Sequence, residues 1–538
     1  MTSVVALVAI ILTCIALAAP VGAQAPKPAA QGRSGGVLRL IHREDLPQGF
    51  SIHETATNTT TWAAMPCYSN LVVYDQLKAL ERPDTIVPEL AEKWSWQDNY
   101  RNLVFFLRRD VKWHDGQPFT AKDVKYTFDM VREARDATGR LRLNPRKEWY
   151  ANVDAIETPD AYTVIFRLKR PQPSLLSMLA AGYSPVWPAH VPVAEHRTRC
   201  LGTGPFKFKE WKRGESFELV RNPDYFVKGR PYLDGLHYVV IGERGTRVAA
   251  LQAGRMDVAY PGDTSVAIAE QLKAAVPKMV FTTTPNNTSE NFLINTKRPP
   301  FDNLDVRRAV SLAVDRRAYV SAVHRGGAII GASLLPKPWG AWGLVEGEVS
   351  KLPGYGKAAE DKERARKLLA GAGFGPGKPL RVDMVTRAIA IYLDFASFAV
   401  GELKQVGIEA NIKQIETAQW HPMVTRREFQ IGANITGLGI DDPDANFYEN
   451  YACGSSRNYG DYCNEQVMKW IDQQSQELDP AKRAALVAQI QRQLEIDAAR
   501  PTMGWRTDRF AHWPHVKNLV PHQVIYSCCR MQETWIDK

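Results

Sequence analysis

The sequence of 538 residues lacks a hydrophobic segment long enough to cross a bilayer as a helix. Its longest apolar run, residues 4–19, is shorter than the roughly 20 residues that such a helix needs. A mean hydropathy of −0.30 also argues against a polytopic membrane protein. The 68 Lys and Arg residues exceed the 58 Asp and Glu residues, but they form no basic cluster beyond pairs such as Arg307-Arg308. A nucleic-acid-binding surface requires clustering, so we expect no nucleic-acid partner.

Catalytic and cofactor motifs are also scarce. The chain contains no H-E-x-x-H, no Walker spacing and no C-x-x-C pair. The glycine-rich stretch 371–379 follows a predicted helix and continues through prolines, whereas a dinucleotide-binding loop follows a strand and opens a helix. His114 precedes an Asp-Gly turn signal, which favours a structural hydrogen bond over acid/base chemistry. We therefore expect no enzymatic activity, no cofactor and no metal.

The amino-terminal segment is typical of an export signal. Residues 1–25 combine the apolar run with small residues that allow cleavage after Ala23 or Ala25, although no Lys or Arg precedes the run. Cys14 lacks the small residue that normally precedes a lipid-modified cysteine, so we expect no lipid anchor. Residues 26–35, rich in Pro, Ala and Gly, are predicted to be a flexible lead-in. The mature protein is accordingly expected in the periplasm.

Export favours disulfide formation among the six remaining cysteines. Cys453 and Cys463 bracket a polar, turn-rich stretch and form the best candidate pair, since nothing nearby supports the alternative of a metal site. The vicinal residues 528–529 offer partners for Cys67 or Cys200, and the sequence leaves these pairings open.

Helix and strand signals are mixed along the chain without a repeat. Residues 161–169 alternate in polarity as a half-buried strand does. Thr120, Asp305 and Asp479 each precede an amphipathic pattern and are predicted to cap helices. The pattern indicates an α/β protein.

Several motifs carry a family resemblance. They are LAEKW at 90–94, LVFFLRRDVKWHDGQPFTAKDV at 103–124, GTGPF at 202–206, RNPDYF at 221–226, AGRMDVA at 253–259, VRRA at 306–309 and DPD at 442–444. In content and order they resemble the family 5 extracellular solute-binding proteins, the peptide-, nickel- and opine-binding components of ABC importers. The resemblance extends from about residue 36 to the carboxyl terminus.

The resemblance implies a two-lobed α/β clamp of the periplasmic-binding-protein type with three domains. Domain I is expected to be discontinuous and domain II to be inserted into it. The expected boundaries are 36–70, 200–289 and 500–538 for domain I, 71–199 for domain II, and 290–499 for domain III, the second lobe. Chain crossings near 286–291 and 499–503 would form the hinge.

The implied function is capture of a small solute and its delivery to a membrane permease by a monomeric, non-enzymatic protein. A secreted hydrolase, or a chaperone or sensor on the same fold, is the alternative. Dipeptide-binding relatives often carry G-W-x-x-D, and here residues 437–441 read GLGID, with Leu438 in place of the Trp. The ligand therefore stays open among longer peptides, opines, sugars and other amphiphiles.

The resemblance also suggests ligand contacts. In dipeptide-binding relatives an Asp pairs with the ligand's ammonium group and an earlier Arg with its carboxylate, which here indicates Asp441 and Arg387, with Asp442 or Asp444 as alternatives to Asp441. Thr55, Ala56 and Thr57 lie at the spacing of a ligand-contacting loop on the first lobe. The disulfide between Cys453 and Cys463 is likewise expected from the family.

Overall fold

The computed structural model of the chain describes residues 32–537. The predicted signal peptide, including Cys14, and residues 26–31 of the predicted lead-in lie outside the described residues. Within residues 32–537, every helix is too short or too polar to span a membrane.

Strands and helices alternate throughout the described residues. The strands are β1 (Val37–His42), β2 (Val72–Tyr74), β3 (Ile86–Pro88), β4 (Ala91–Gln97), β5 (Asn102–Leu107), β6 (Val153–Asp160), β7 (Thr163–Leu168), β8 (Phe206–Lys212), β9 (Ser216–Arg221), β10 (Gly235–Val240), β11 (Val280–Ile294), β12 (Ala328–Ile329), β13 (Leu380–Arg387), β14 (Ile408–Ile415), β15 (Ile431–Gly437), β16 (Thr502–His512), β17 (Val516–Lys517) and β18 (Trp535–Ile536). The helices are α1 (Asn58–Ala64), α2 (Ala121–Val131), α3 (Leu175–Ala180), α4 (Arg244–Gln252), α5 (Val266–Ala275), α6 (Leu304–Ala313), α7 (Arg316–Ala322), α8 (Glu346–Val349), α9 (Ala358–Gly371), α10 (Ala390–Lys404), α11 (Thr417–Thr425), α12 (Pro443–Asn450), α13 (Glu465–Gln476) and α14 (Pro480–Ile496). Short 3-10 turns cover Ile52–Glu54, Met65–Cys67, Pro83–Thr85, Lys147–Tyr150 and Val193–Arg197.

Three larger sheets organise the protein into two lobes. Two four-stranded sheets, in the orders β1-β10-β9-β8 and β4-β5-β7-β6, share one continuous hydrophobic core and form the first lobe. A six-stranded sheet in the order β12-β16-β11-β15-β13-β14 has its own core of residues between 292 and 503 and forms the second lobe. Parallel strands β13 and β14 are joined through α10, as a parallel pair requires.

Two long antiparallel strands run from one lobe to the other. The first half of β11 pairs with the end of β16, where Phe281 and Phe510 pack in the first-lobe core. The second half of β11 pairs with β15, and its Phe292 and Ile294 belong to the second-lobe core. The ladder between β11 and β16 shifts register between residues 285 and 289. This shift lies opposite residues 505–507 of β16, and Met503 still packs in the second-lobe core. The crossings expected near 286–291 and 499–503 stay predictions.

The structure confirms most of the local patterns. Strand β7 occupies the alternating segment, Thr120 precedes α2 with Asp123 accepting from its backbone N–H at 2.9 Å, and Asp479 caps α14. The expected cap at Asp305 was wrong, because the side chain of Asn303 accepts from the Asp305 N–H and the helix begins at residue 304. The glycine-rich stretch ends α9 and turns into β13, as its proline content indicated.

Cysteines of the described residues lie in three pairs at bonding distance. They are Cys67 with Cys200, Cys453 with Cys463, and Cys528 with its neighbour Cys529. The structure gives the pairings that the sequence left open. Cys67 and Cys200 come from segments that meet in the first lobe, with 6.1 Å between their Cα atoms, and the vicinal cysteines pair with each other.

His114 holds two of the family motifs together. Its Nε2 donates to the Gly204 carbonyl at 3.0 Å, and its Nδ1 accepts from the Gly202 N–H at 3.3 Å. Burial lowers the pKa of the ring to about 4, so it is neutral at pH 7. These contacts confirm the structural interpretation of this histidine.

Candidate ligand-binding cavity

A cavity with an empty volume of about 660 Å³ lies between the two lobes. Its lining residues are Arg43, Ala56, Thr57, Asn58, Pro261, Gly262, Thr288, Arg387, Ile391, Tyr392, Trp420, His421, Asn434, Ile435, Gly437, Arg457, Tyr459, Arg506, Ile525 and Tyr526. Both lobes and both crossing strands therefore contribute to its walls.

The first-lobe wall includes the loop that leads into α1. The Thr57 N–H donates to Thr55 Oγ1 at 3.1 Å, which folds the loop locally and presents Ala56 and Thr57 to the cavity. Glu54 anchors the loop, because it accepts two hydrogen bonds from Arg197 at 2.7 and 2.8 Å and one from the Arg142 N–H at 2.7 Å. These contacts hold the loop on the side that faces away from the cavity.

Arg387 is the charged residue at the end of β13 on the second lobe. It is only 3% exposed, and it donates to Thr417 Oγ1 at 2.6 Å and Tyr392 Oη at 3.0 Å. Its Nη2 also reaches Glu44 of the first lobe at 3.1 Å. A strand end facing the crevice is the usual position for a ligand contact in an α/β sheet.

The loop between Cys453 and Cys463 supplies a second part of this wall. Arg457 and Tyr459 both lie within the loop and both line the cavity. Arg457 Nε lies 2.7 Å from Glu449 Oε1, and Glu449 is also 3.2 Å from Arg146 of the first lobe. The disulfide therefore restrains a loop that contributes an arginine and an aromatic ring to the cavity.

Positive charge dominates the electrostatics of the site. Arg43, Arg387, Arg457 and Arg506 line the cavity, and none of its lining residues, all within 32–537, is Asp or Glu. Burial disfavours the charged form of nearby Glu44, but the charges of Arg387 and Arg43 outweigh burial and lower its pKa to about 2. Glu44 is thus ionised and shared between two guanidinium groups.

His421 is an uncharged member of the lining. Burial, together with the charges of Arg387 and Arg457, lowers its pKa to about 3. Among residues 32–537, neither ring nitrogen has a hydrogen-bond partner. A neutral imidazole offers one donor and one acceptor, which suits a ligand hydroxyl or carboxyl group.

The structure brings together only part of the predicted ligand set. Arg387, Ala56 and Thr57 line the cavity, and Thr55 lies directly behind them. Asp441 lies elsewhere: it accepts from Arg82 at 2.6 Å, from the Ala341 N–H at 3.0 Å and from Gln523 at 3.2 Å. Its carboxylate joins first-lobe side chains to the second lobe, so the expected pairing of Asp441 and Arg387 as opposite poles differs from what the structure shows.

Asp442 and Asp444 also have internal partners. Asp442 accepts two hydrogen bonds from Arg483 and caps α12. Asp444 is fully buried and accepts from Ser174 at 2.6 Å and Ser475 at 2.7 Å, among other donors. Neither belongs to the cavity lining, because their carboxylates are used in holding elements of the protein together.

Sequence reasoning missed three of the four cavity arginines. Arg43, Arg457 and Arg506 come from distant parts of the chain and have no shared local motif. The aromatic lining was missed as well: Leu438 is buried in a core cluster with Phe447, and Tyr392, Trp420, Tyr459 and Tyr526 supply the rings instead. Across residues 32–537, no group of three or more His, Cys, Asp or Glu residues is placed to hold a metal ion.

Two lobes that enclose a polar cavity and are connected by crossing strands define a solute-binding protein. The family model described as "Bacterial extracellular solute-binding proteins, family 5 Middle" matches residues 85–458. The chain belongs to the family 5 extracellular solute-binding proteins, a family of binding proteins rather than enzymes.

Known relatives agree with this assignment. A probable di/tripeptide-binding protein of Pseudomonas aeruginosa is 27% identical over 506 residues, which cover 88% of this chain and 91% of the relative. The periplasmic oligopeptide-binding protein OppA of Salmonella typhimurium is 26% identical over 77% of this chain and 78% of its own length.

Solved structures share the fold at lower identity. The periplasmic binding protein DppA from Helicobacter pylori, in complex with the peptide STSA, has a TM-score of 0.82 at 22% identity, covering 94% of this chain and 99% of that one. AgaA from A. tumefacien R10, in complex with agropinic acid, has a TM-score of 0.79 at 23% identity with the same coverage. Both confirm the two-lobed fold.

Proposed function

We propose that this protein is the exported binding component of an ABC importer. It captures a small polar or amphiphilic solute, such as a peptide, between its lobes and delivers it to a membrane permease. The observation that carries the proposal is the cavity itself, because its walls come from both lobes and from both strands that connect them. Peptide-binding relatives and the likeness to AgaA, solved in complex with agropinic acid, support a small polar solute.

A periplasmic location is part of the proposal. Three cysteine pairs at bonding distance fit an oxidising compartment, since disulfides persist there and are rare in the cytosol. The family is extracellular in its description. The protein would act as a monomer without a cofactor, and its work would be binding and presentation.

We further infer the three-domain division given by the sequence, with closure as a hinge motion. Each of the first two proposed domains contains one four-stranded sheet, and the third contains most of the six-stranded sheet. Closure would bend β11 and β16 near residues 285–289, where their ladder shifts register. Contacts such as Glu44 with Arg387 join the lobes and would form on closure.

The proposed ligand contacts are Arg387, Ala56 and Thr57. Arg387 supplies a buried guanidinium whose planar fork suits a carboxylate or a similar oxyanion. The Thr57 side chain adds a hydroxyl on the opposite wall. Asp441, Asp442 and Asp444 are not among the contacts that we propose, because internal donors already occupy their oxygens.

Recovery of the natural solute tests the proposal. The mature protein is purified from the periplasm and denatured, the released solute is identified by mass spectrometry, and the solute is titrated back by calorimetry. For Arg387→Gln we expect a roughly thirtyfold or greater loss of affinity, because truncating one partner of a desolvated charge pair costs about 2–5 kcal/mol.

Arg381→Gln is the matched control, because Arg381 lies on the same strand but is exposed and pairs with Glu409 at the surface. Its affinity is expected to equal that of the unaltered protein. A loss below threefold for Arg387→Gln, with the fold intact, would contradict the proposed site. For the transport role, deletion of the gene should abolish cellular uptake of the labelled solute.

A further inference from the structure

We propose that the cavity takes a solute with at least two anionic groups, carboxylate or phosphate, and with no ammonium group on its enclosed part. This inference rests on the proposed function, because it specifies which solute the same cavity captures. It starts from the charges of the lining, four arginines and no carboxylate among its members, all drawn from residues 32–537.

The carboxylates near the lining do not neutralise these arginines one to one. Glu44 serves Arg387 at 3.1 Å and Arg43 at 3.7 Å. The other carboxylate near Arg43 is Asp263, at 3.4 Å, and it lies closer to Arg247, at 2.6 Å. Two carboxylates thus face three guanidinium groups.

Of the other two cavity arginines, Arg457 shows the same deficit, and Arg506 lacks a close carboxylate contact. Arg457 shares Glu449 with the buried Arg146. Arg506 lies 3.9 Å from Glu290, beyond hydrogen-bonding distance, and interacts with Asp508, whose pKa is raised by burial to about 6. An anionic solute would supply the missing negative charge in a site where low polarisability strengthens the attraction.

Unused hydrogen-bond donors point in the same direction. Arg387, Arg457 and Arg506 are 3%, 7% and 8% exposed, yet Nε of Arg387, Nη1 of Arg457 and Nε of Arg506 have no acceptor within the described residues. Buried donors normally have partners, and leaving them unpaired is unfavourable. Carboxylate or phosphate oxygens provide acceptors that match guanidinium groups in both charge and geometry.

The same surroundings disfavour an ammonium group. An amino terminus placed in the cavity would face the four guanidinium groups and find no carboxylate in the lining. A smaller neighbouring cavity includes Glu54, but Arg197, the Arg142 N–H and Ser51 already occupy its oxygens. The aromatic side chains of the lining would pack against the uncharged part of the solute.

Thermal unfolding of the full mature chain tests the inference directly. Bound solute is first removed in denaturant without reductant. The refolded protein is then melted with tricarballylate, fructose 1,6-bisphosphate or the zwitterionic dipeptide Ala-Ala at matched ionic strength. We expect tricarballylate or fructose 1,6-bisphosphate to raise the Tm by about 2 °C or more, because a ligand that binds only the folded state stabilises it. Whichever of the two acts more strongly identifies carboxylate or phosphate as the preferred group.

Variants assign the effect to the cavity. The double variant Arg387→Gln with Arg457→Gln should lose the anion-dependent shift, whereas Arg381→Gln should retain it. A Tm increase by Ala-Ala that equals or exceeds the increase by either anion would overturn the inference, as would the absence of any anion-dependent shift.

The identity of the co-purified solute separates this inference from the proposed function. A recovered solute with two or more anionic groups supports both. A zwitterionic or neutral solute that binds and closes the lobes would overturn the anionic inference and leave the capture function intact. Anion-dependent stabilisation without any effect of gene deletion on solute uptake would contradict only the import role.

Discussion

The ion pair between Arg82 and Asp441 leads to the most specific prediction about closure. Asp441 Oδ2 lies 2.6 Å from Arg82 Nη1, and the two side chains are 8% and 24% exposed. Arg82 and Gln523 belong to the first lobe, whereas Asp441 is held from the second lobe by the Ala341 N–H. We therefore expect the pair to stabilise the closed, solute-bound state and to be absent when the lobes separate.

The size of the effect follows from the charge that the substitution removes. Asp441→Asn keeps a carbonyl oxygen for the Ala341 N–H but no longer places a negative charge opposite Arg82. A charge-assisted hydrogen bond contributes about 1.5–3 kcal/mol, and the partial exposure of Arg82 reduces this to about 1–2 kcal/mol. The Kd for the solute should rise about fivefold to thirtyfold, and Arg82→Gln should raise it by a similar factor.

Calorimetric titration of both single variants and the double variant decides between two roles for Asp441. If the pair is a contact between lobes, the double variant has the same solute affinity as the single variant with the lower affinity. The coupling energy between the two substitutions is then about 1 kcal/mol or more. If Asp441→Asn weakens binding while Arg82→Gln has no effect, Asp441 contacts the solute directly and the reasoning is refuted. Arg167→Gln is the control, because its pair with Glu157 is exposed and lies within one sheet.

Three further predictions concern the walls of the cavity. Glu54→Gln should lower the free energy of unfolding by about 2 kcal/mol at pH 7. Burial opposes ionisation of Glu54, but Arg197 and the other donors depress its pKa below the ordinary 4.5. The stabilisation by the ionised carboxylate is therefore present above pH 4.5 and is lost as the pH falls through the depressed pKa. Denaturant unfolding from pH 7 to 3 should show the two proteins converging, and a constant difference would contradict the role of the charge. Replacing Cys453 and Cys463 with Ser should cost about 2–4 kcal/mol of stability and weaken solute binding; peptide mapping without reductant that recovers both as free thiols in the native protein would refute the pairing. Thr57→Val should lower solute affinity about threefold to tenfold in calorimetry, the value of one neutral hydrogen bond, and an unchanged affinity would remove the hydroxyl from the proposed contacts.

Local sequence patterns predicted the elements of the fold well. Helix caps such as Thr120 and Asp479, and the alternation that became β7, depend on neighbours within a few residues and are therefore visible in the sequence. The error at Asp305 arose because Asn303 and Asp305 are both suitable caps and only the backbone conformation distinguishes them. The two-lobed arrangement came from the family motifs rather than from these patterns.

The site was predictable only where it follows strand order or a family loop. Arg387 at the end of β13 and Thr57 before α1 line the cavity and could be predicted as lining residues in this way; their contact with a solute stays a prediction. Arg43 and Arg506 could not be predicted as lining residues, because their position at the cavity depends on the three-dimensional packing of β1 and β16. The position of Asp441 outside the cavity lining could not be predicted either, because its partner, Arg82, lies 359 residues away in the sequence.

A crystal structure of the mature protein with its co-purified solute tests the central claim most directly. We expect closed lobes with the solute in the cavity between them. Carboxylate or phosphate oxygens of the solute should lie within about 3.2 Å of the guanidinium nitrogens of Arg387 and Arg457. A solute bound outside this cavity, or one held there through an ammonium group paired with Asp441, would contradict it.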